Sequence, residues 1–202
     1  MNKYKIVSLL LGFALLATLA RLVYVSQGEQ AAPAAESKSA VILENILNRK
    51  SVRSYTDRAV SREQLDTLLR AAMAAPTGRD MRPWKFVVVD DKETLAKLAE
   101  ALPRHKMLPE AQAAIAICGD LSVTDDEGNP STNWTFDCSA ATENLLLMAE
   151  AMGLGAVWTG VHPYEERLAA VREVLGLPEE IVPLNLIPIG YPKGHPQPKD
   201  KY

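Results

Sequence analysis

Arg49-Lys50-Ser51-Val52-Arg53-Ser54-Tyr55 places three cations and two serine hydroxyls in seven residues, directly after the apolar run 41–47. Phosphate is held by guanidinium forks and by hydroxyl or backbone N–H donors that converge on one point. Arg49, Ser51 and Arg53 stand at i, i+2 and i+4. An extended segment puts all three on one side, whereas a helix turns Ser51 away. The same composition suits a solvated helix C-terminus, where the macrodipole favours cations. Taken alone, the stretch favours that wet helix end.

Two further loops invite the same question. Ala75-Pro76-Thr77-Gly78-Arg79-Asp80-Met81-Arg82-Pro83-Trp84 joins a helical pattern to an apolar strand. Its prolines and glycine fix backbone donors, which serves a ligand or merely an ordinary connection. Gly153-Leu154-Gly155-Ala156-Val157-Trp158-Thr159-Gly160 has its glycines between a helix and a strand. It is therefore not a dinucleotide fingerprint, which needs a strand-to-helix turn. His105, His162 and His195 share no ligand spacing with one another or with Cys118 and Cys138, and Gly-x-Ser-x-Gly is absent. No metal site and no catalytic nucleophile is assigned.

The elements that must position these loops follow from periodicity. Residues 41–47 pair Ile42 with Ile46 and Leu43 with Leu47, a short helix ending near the first motif. Ser61-Arg62-Glu63-Gln64 is a capping box, and Leu65, Leu68, Leu69, Ala72 and Met73 continue at helical spacing until Pro76. Residues 84–89 and 113–118 are buried strands, with a helix capped by Asp91 between them. Over about residues 134–152 a helix is apolar nearly all round, with only Ser139, Glu143 and Glu150 on a wet face. Such a helix is covered on several sides, by the core or by a second subunit. Residues 156–161 make another strand, and Leu168, Val171 and Leu175 a helix stopped by Gly176 and Pro178. Prolines within residues 181–191 indicate an edge strand or a bulge. The order has no regular βαβ rhythm, which predicts an α+β fold.

Residues 1–25 read as an export signal or membrane anchor, because Lys3 and Lys5 precede an uncharged run over 6–20 that ends at Arg21. The run is shorter than the roughly 20 residues of a spanning helix, which favours a signal. It extends through Val25 if Arg21 snorkels. Thr18-Leu19-Ala20 offers a small-x-small cleavage site, and no cysteine follows for a lipoprotein anchor. The lysines place the remainder outside the cytoplasm, in the cell envelope. Residues 26–39 read as a linker, leaving residues 40–202 as one domain. A net charge of −3 without a long basic tract gives nucleic-acid binding no electrostatic support. Two cysteines cannot form a disulfide framework; Cys118 and Cys138 can pair once in an oxidising envelope, but the apolar strand around Cys118 favours a buried free thiol.

In this order the pieces resemble the nitroreductase family of FMN-dependent flavoenzymes. That family opens with Arg-x-Ser-x-Arg, here RKSVRSY, and continues with Ala-Pro-Ser-x-x-Asn-x-Gln-Pro-Trp, here APTGRDMRPW. A strand ending in Cys-Gly-Asp, a long central helix, a Gly-Leu-Gly-x-x-Trp strand and a C-terminal Pro-x-Gly-Tyr-Pro followed by lysines complete the set. The resemblance covers about residues 40–202. It implies a nitroreductase-like fold, a central mixed and mainly antiparallel sheet surrounded by helices, in a homodimer with FMN at its interface.

Residue by residue, the resemblance implies that Arg49, Ser51 and Arg53 hold the FMN phosphate, with Lys50 in the same segment. Lys199 and Lys201 would close that pocket from the far end of the chain. Lys106 would sit near flavin N1 and O2. Pro76 and Thr77 would contact the isoalloxazine from the other subunit, with Asp80 in the same loop. Backbone N–H groups around Thr159 and Gly160, beside Trp158, would face N5. The chain departs from the pattern in places. Asp80 stands for Asn, trading an amide donor for a carboxylate, which is expected to weaken a flavin contact or to raise the Asp80 pKa. Arg82 stands for Gln, and the sequence ends at Tyr202 where many relatives continue.

The activity so implied is ping-pong hydride transfer through flavin N5, from NAD(P)H to nitroaromatics, quinones or similar electron-poor acceptors. The flavin carries the chemistry, so no side chain is named as acid or base. Export would separate the domain from cytoplasmic NAD(P)H, and then another reductant or an anchor of opposite orientation is required. The competing class is a flavin-binding electron carrier or redox sensor without general turnover. A third is an α+β domain that binds no flavin.

Overall fold

The computed structural model describes residues 15–21 and 37–200, and the chain divides into compact units at 1–41 and 42–202. In the first unit residues 15–21 are helical, with Leu15, Leu16 and Leu19 exposed. The rest of the expected export segment lies outside the described residues, as does most of the expected linker. Among the described residues no helix is long and apolar enough to cross a membrane. Helix α1 (Lys38–Asn48) begins within the last residues of that linker.

The elements expected from periodicity form in order. Helix α2 (Arg62–Met73) starts at its capping box: the Ser61 hydroxyl accepts from Gln64 N at 3.3 Å and Gln64 Oε1 accepts from Ser61 N at 3.0 Å. Strand β1 (Trp84–Val89) leads to α3 (Lys92–Ala101), capped by Asp91, and then to β2 (Ala113–Asp120), buried throughout. Helix α4 (Trp134–Ala151) is followed by the short strands β3 (Gly155–Ala156) and β4 (Thr159–Gly160). Helix α5 (Glu165–Leu175) stops at Gly176, whose φ of 63° suits glycine, and β5 (Ile181–Gly190) closes the sheet.

The sheet runs β1-β2-β5-β3, with β4 also on β5, and every strand pair is antiparallel. The mixed character comes from one parallel bridge, Ser51 to Ala156. The period of β2 divides the core. Ile115 and Ile117 join Leu65, Leu68, Ala141 and Leu145 of α2 and α4, while Ala114, Ala116 and Cys118 join Leu95, Leu98, Leu168 and Val171 of α3 and α5. Cys118 and Cys138 are both free and buried, and burial pushes each thiol up to about 12.

Two expectations change. Strand β5 is central, not an edge. It tolerates its prolines because Pro183 falls at a register shift, the expected bulge, and Pro188 lies between the residues paired to β4 and those paired to β3. The strand expected over 156–161 is split at Val157-Trp158, because Val157 is buried in a small cluster of its own with Val52 and Tyr55.

Candidate functional site

Helix α1 ends at Asn48, and residues 49–55 continue as extended chain against β3 and β5. Val52 N donates to Ala156 O at 3.0 Å and Thr56 N to Tyr191 O at 2.9 Å. The Tyr55 hydroxyl lies 2.8 Å from Val52 O and 3.1 Å from Pro188 O, and burial pushes its pKa up. Val52 and Tyr55 are buried while Ser51 and Arg53 are exposed, so Ser51 and Arg53 are not part of a wet helix end. Arg49 Nε stands 3.3 Å from Glu143 Oε1. Lys50 Nζ is 2.7 Å from Glu150 Oε1, with both side chains largely covered, so its charge is already engaged. Arg53 has no ion pair among the described residues.

Glycines let this segment lie close to the sheet. A Cβ at Gly155 would stand 2.6 Å from Val52 Cγ1, and one at Gly190 would stand 2.9 Å from Tyr55 Cβ. Val52 and Tyr55 then share their cluster with Met107, Ala111 and Val157. That cluster gathers the first motif, the turn following Lys106 and the strand segment leading to Trp158, Thr159 and Gly160. Lys106 is exposed, and Trp158 is 38% exposed. Thr159 Oγ1 donates to Leu186 O, and Gly160 O accepts from Arg167 Nη1 at 2.8 Å. Nothing lies within 4 Å of where a Gly160 Cβ would be, so that stretch of backbone is open to approach. The far end of the chain returns here as well: Lys193 N donates to Ser54 O at 3.0 Å and Pro192 bridges to Tyr55. Lys199 is exposed further along, and Lys201 lies outside the described residues.

The loop 76–82 is anchored elsewhere. Thr77 Oγ1 and Gly78 N donate to the two carboxylate oxygens of Asp137, each at 3.1 Å, in the first turn of α4. Arg49 and Lys50 meet the same helix at Glu143 and Glu150, roughly 9 and 20 Å further along at 1.5 Å per residue. Pro76 is exposed. Arg79, Asp80 and Arg82 have φ of 53°, 55° and 49°, three non-glycine residues at positive φ interrupted by right-handed Met81, and strained backbone of this kind clusters at ligand-binding loops. Two of the departures from the family pattern, Asp80 and Arg82, prove to be partners. Arg82 Nε donates to Asp80 Oδ1 at 2.8 Å, and Arg82 Nη2 donates to the other oxygen. The expected rise of the Asp80 pKa is thereby overturned, since the guanidinium holds that carboxyl below its ordinary value.

Asp137 and Glu110 are structural contributors that the sequence pattern did not single out. An acid in the first turn of a largely apolar helix, away from its wet face, is a visible sign for Asp137. Nothing local marks Glu110, whose partners lie more than fifty residues away. Taken together, the exposed Ser51 and Arg53 beside Arg49, the exposed cation at Lys106 and the side-chain-free backbone at Gly160 fit a flat group that carries a phosphate.

A sequence profile described as the Nitroreductase family matches residues 46–105 and 99–191. A protein of Archaeoglobus fulgidus, provisionally named an NADH dehydrogenase/NAD(P)H nitroreductase, is 48% identical over 151 residues, 75% of this chain and 85% of its own length. A crystal structure from Parabacteroides distasonis under the same provisional name has a TM-score of 0.75 and 54% identity, covering 80% of this chain and 93% of that one. An FMN-dependent nitroreductase of Clostridium difficile has a TM-score of 0.70 and 31% identity, covering 79% and 92%.

Proposed function

The chain belongs to the nitroreductase family, and from that premise we propose that it is an FMN-dependent oxidoreductase passing electrons from NAD(P)H to nitroaromatics, quinones or similar electron-poor acceptors. The observation that carries the reading is the cluster of Val52, Tyr55, Met107, Ala111 and Val157, which draws three cofactor-type segments to one place. When bound, FMN supplies the two-electron chemistry at N5 of its ring. The protein's part is to bind and tune. Arg49, Ser51 and Arg53 would hold the phosphate, with Lys199 and Lys201 as further cations from the end of the sequence, while Lys106 would set a positive charge near N1 and O2. The backbone at Thr159 and Gly160, beside Trp158, would face N5. Asp80 stays ionised against Arg82. No side chain is assigned as acid or base.

A second copy of the chain completes this arrangement. Helix α1 buries none of its residues and exposes Ile42, Leu43, Ile46 and Leu47, and Phe136 at the start of α4 is 72% exposed. Apolar surface of this extent calls for a partner. The separation of loop 76–82 from residues 49–53 along α4 favours a site in which Pro76 and Thr77 come from the other subunit. Sedimentation should show a dimer, with Ile46→Asp shifting it to a monomer that retains less flavin; a monomeric parent refutes the arrangement.

Purification tests the activity. The protein should be yellow, be bleached by NAD(P)H and recover its colour with a nitroaromatic or quinone. A colourless protein that gains no flavin absorbance with added FMN overturns the reading, and reduced protein that these acceptors do not reoxidise points instead to an electron carrier. Lys3 and Lys5 ahead of the uncharged run favour delivery of the domain to the cell envelope. A C-terminal reporter active only on the cytoplasmic side refutes that placement.

A further inference from the structure

Glu110 makes contacts that flavin binding as described above does not use. Its Oε2 accepts from the Ser54 hydroxyl at 2.8 Å and from the Tyr55 backbone N–H at 3.1 Å. These donors, with the charge of Lys193, hold its carboxyl below the ordinary range. Glu110 belongs to the single turn Leu108–Glu110, which is tied back to Met107: Glu110 N and Ala111 N donate to Met107 O at 3.3 and 3.2 Å. Met107 follows Lys106 directly, and both Met107 and Ala111 are buried with Val52 and Tyr55.

The consequence falls on Arg53. Its side chain is exposed and has no ion pair among the described residues, so its placement depends on its own backbone. On one side the backbone is pinned by Val52 N to Ala156 O, and on the other by Tyr55 N to Glu110. Without Glu110 the Tyr55 N–H and the Ser54 hydroxyl lose these acceptors. The segment stays tied to β3 by Val52 N and to the C-terminal stretch by Lys193 N to Ser54 O, but it loses the hydrogen bonds that hold it to the turn after Lys106.

We propose that Glu110 is a positioning residue that clamps the Arg53-Ser54-Tyr55 backbone to the Lys106 turn, so that the phosphate-binding and ring-binding cations are presented at a set spacing to one flavin nucleotide. The proposal rests on the FMN reading given above. A carboxylate beside a phosphate pocket is otherwise unfavourable, because like charges repel. Two donors to one oxygen, the nearby Lys193 and screening by water at this exposed position reduce that cost. By occupying the Ser54 hydroxyl and the Tyr55 N–H, Glu110 also leaves Ser51 and Arg53 as the donors free for phosphate.

The test uses the full chain freed of flavin, titrated with FMN and with riboflavin, which has the same ring and no phosphate. Glu110→Ala should cut the preference for FMN over riboflavin about tenfold, the loss expected from one hydrogen bond to a charged group, while riboflavin affinity is unchanged. Glu110→Gln keeps an acceptor oxygen and should restore most of the preference. A parent that binds the two ligands equally well removes the phosphate reading and the proposal with it. A parent that prefers FMN, with Glu110→Ala keeping that preference, overturns the clamp alone. Equal loss of both ligands in Glu110→Ala, or Glu110→Gln as poor as Glu110→Ala, also overturns it.

Discussion

Replacing Gly155 with alanine tests whether the first motif depends on its close contact with β3. Gly155 is not in the left-handed region, so alanine can adopt its backbone and the constraint is space alone. The new Cβ would stand 2.6 Å from Val52 Cγ1 and 2.7 Å from Val52 Cβ. Both distances are about 1 Å inside the optimum between carbons. Val52 is 4% exposed and its N–H is bonded to Ala156 O, so rotating the side chain brings little relief and the backbone of 51–53 must shift from the sheet. Overpacking of this kind costs about 1–3 kcal/mol, and each kcal/mol lowers Tm by roughly 2–4 °C for a domain of this size. A shift that breaks one charge-assisted hydrogen bond to the phosphate loses about 1.5–3 kcal/mol, which weakens FMN binding roughly ten- to a hundredfold. Quenching of flavin fluorescence on titration gives the affinity, and differential scanning fluorimetry gives Tm. Gly176→Ala is the control. Its φ is 63° with nothing within 4 Å of the new Cβ, so it strains the C-cap of α5 without touching residues 49–55. It should lower Tm and leave FMN affinity alone. The reasoning fails if Gly155→Ala binds FMN as the parent does, or if both variants weaken binding equally.

Arg53→Ala removes an exposed, unpaired guanidinium and should weaken FMN about tenfold or more with little change in Tm; undiminished binding in the same titration returns RKSVRSY to a solvated cationic stretch. Asp80 has a folded pKa below its ordinary 3.8, so its pairing with Arg82 stabilises fully above that value and is lost as pH falls through the lower folded one. Asp80→Asn should therefore have a slightly lower Tm than the parent at pH 5–7, a gap that closes at lower pH; a gap that persists or widens in acid contradicts the pairing. Burial holds the Cys118 and Cys138 thiols at about 12, so the native protein at pH 8 should not react with a disulfide reagent, and both thiols should react once guanidinium unfolds it. Fast reaction of either thiol in the native state would show that its cover is incomplete.

Much of the fold was legible because its signals are local. The capping box at Ser61 and Gln64, the alternation of Ile115 and Ile117 with Ala114 and Ala116, and the glycine stop at Gly176 each depend on residues within one or two turns. The same holds for the extended spacing of Arg49, Ser51 and Arg53, which the sequence allowed but did not require. Chain order and periodicity determined which elements form and which loops carry polar donors. Only the tertiary structure decided that β5 lies in the middle of the sheet and that Val157 interrupts the strand beside it. It also engaged Lys50 with Glu150, tied Thr77 to Asp137, and turned two separate departures from the family pattern into the Asp80–Arg82 pair. Pairings between residues distant in the chain leave no periodic trace, and even the near pair Asp80 and Arg82 depends on left-handed backbone that no local preference of Asp or Arg demands. The meeting of Val52, Tyr55, Met107 and Val157 is of the same kind: each is an ordinary apolar residue in its own segment, and only packing makes them one cluster.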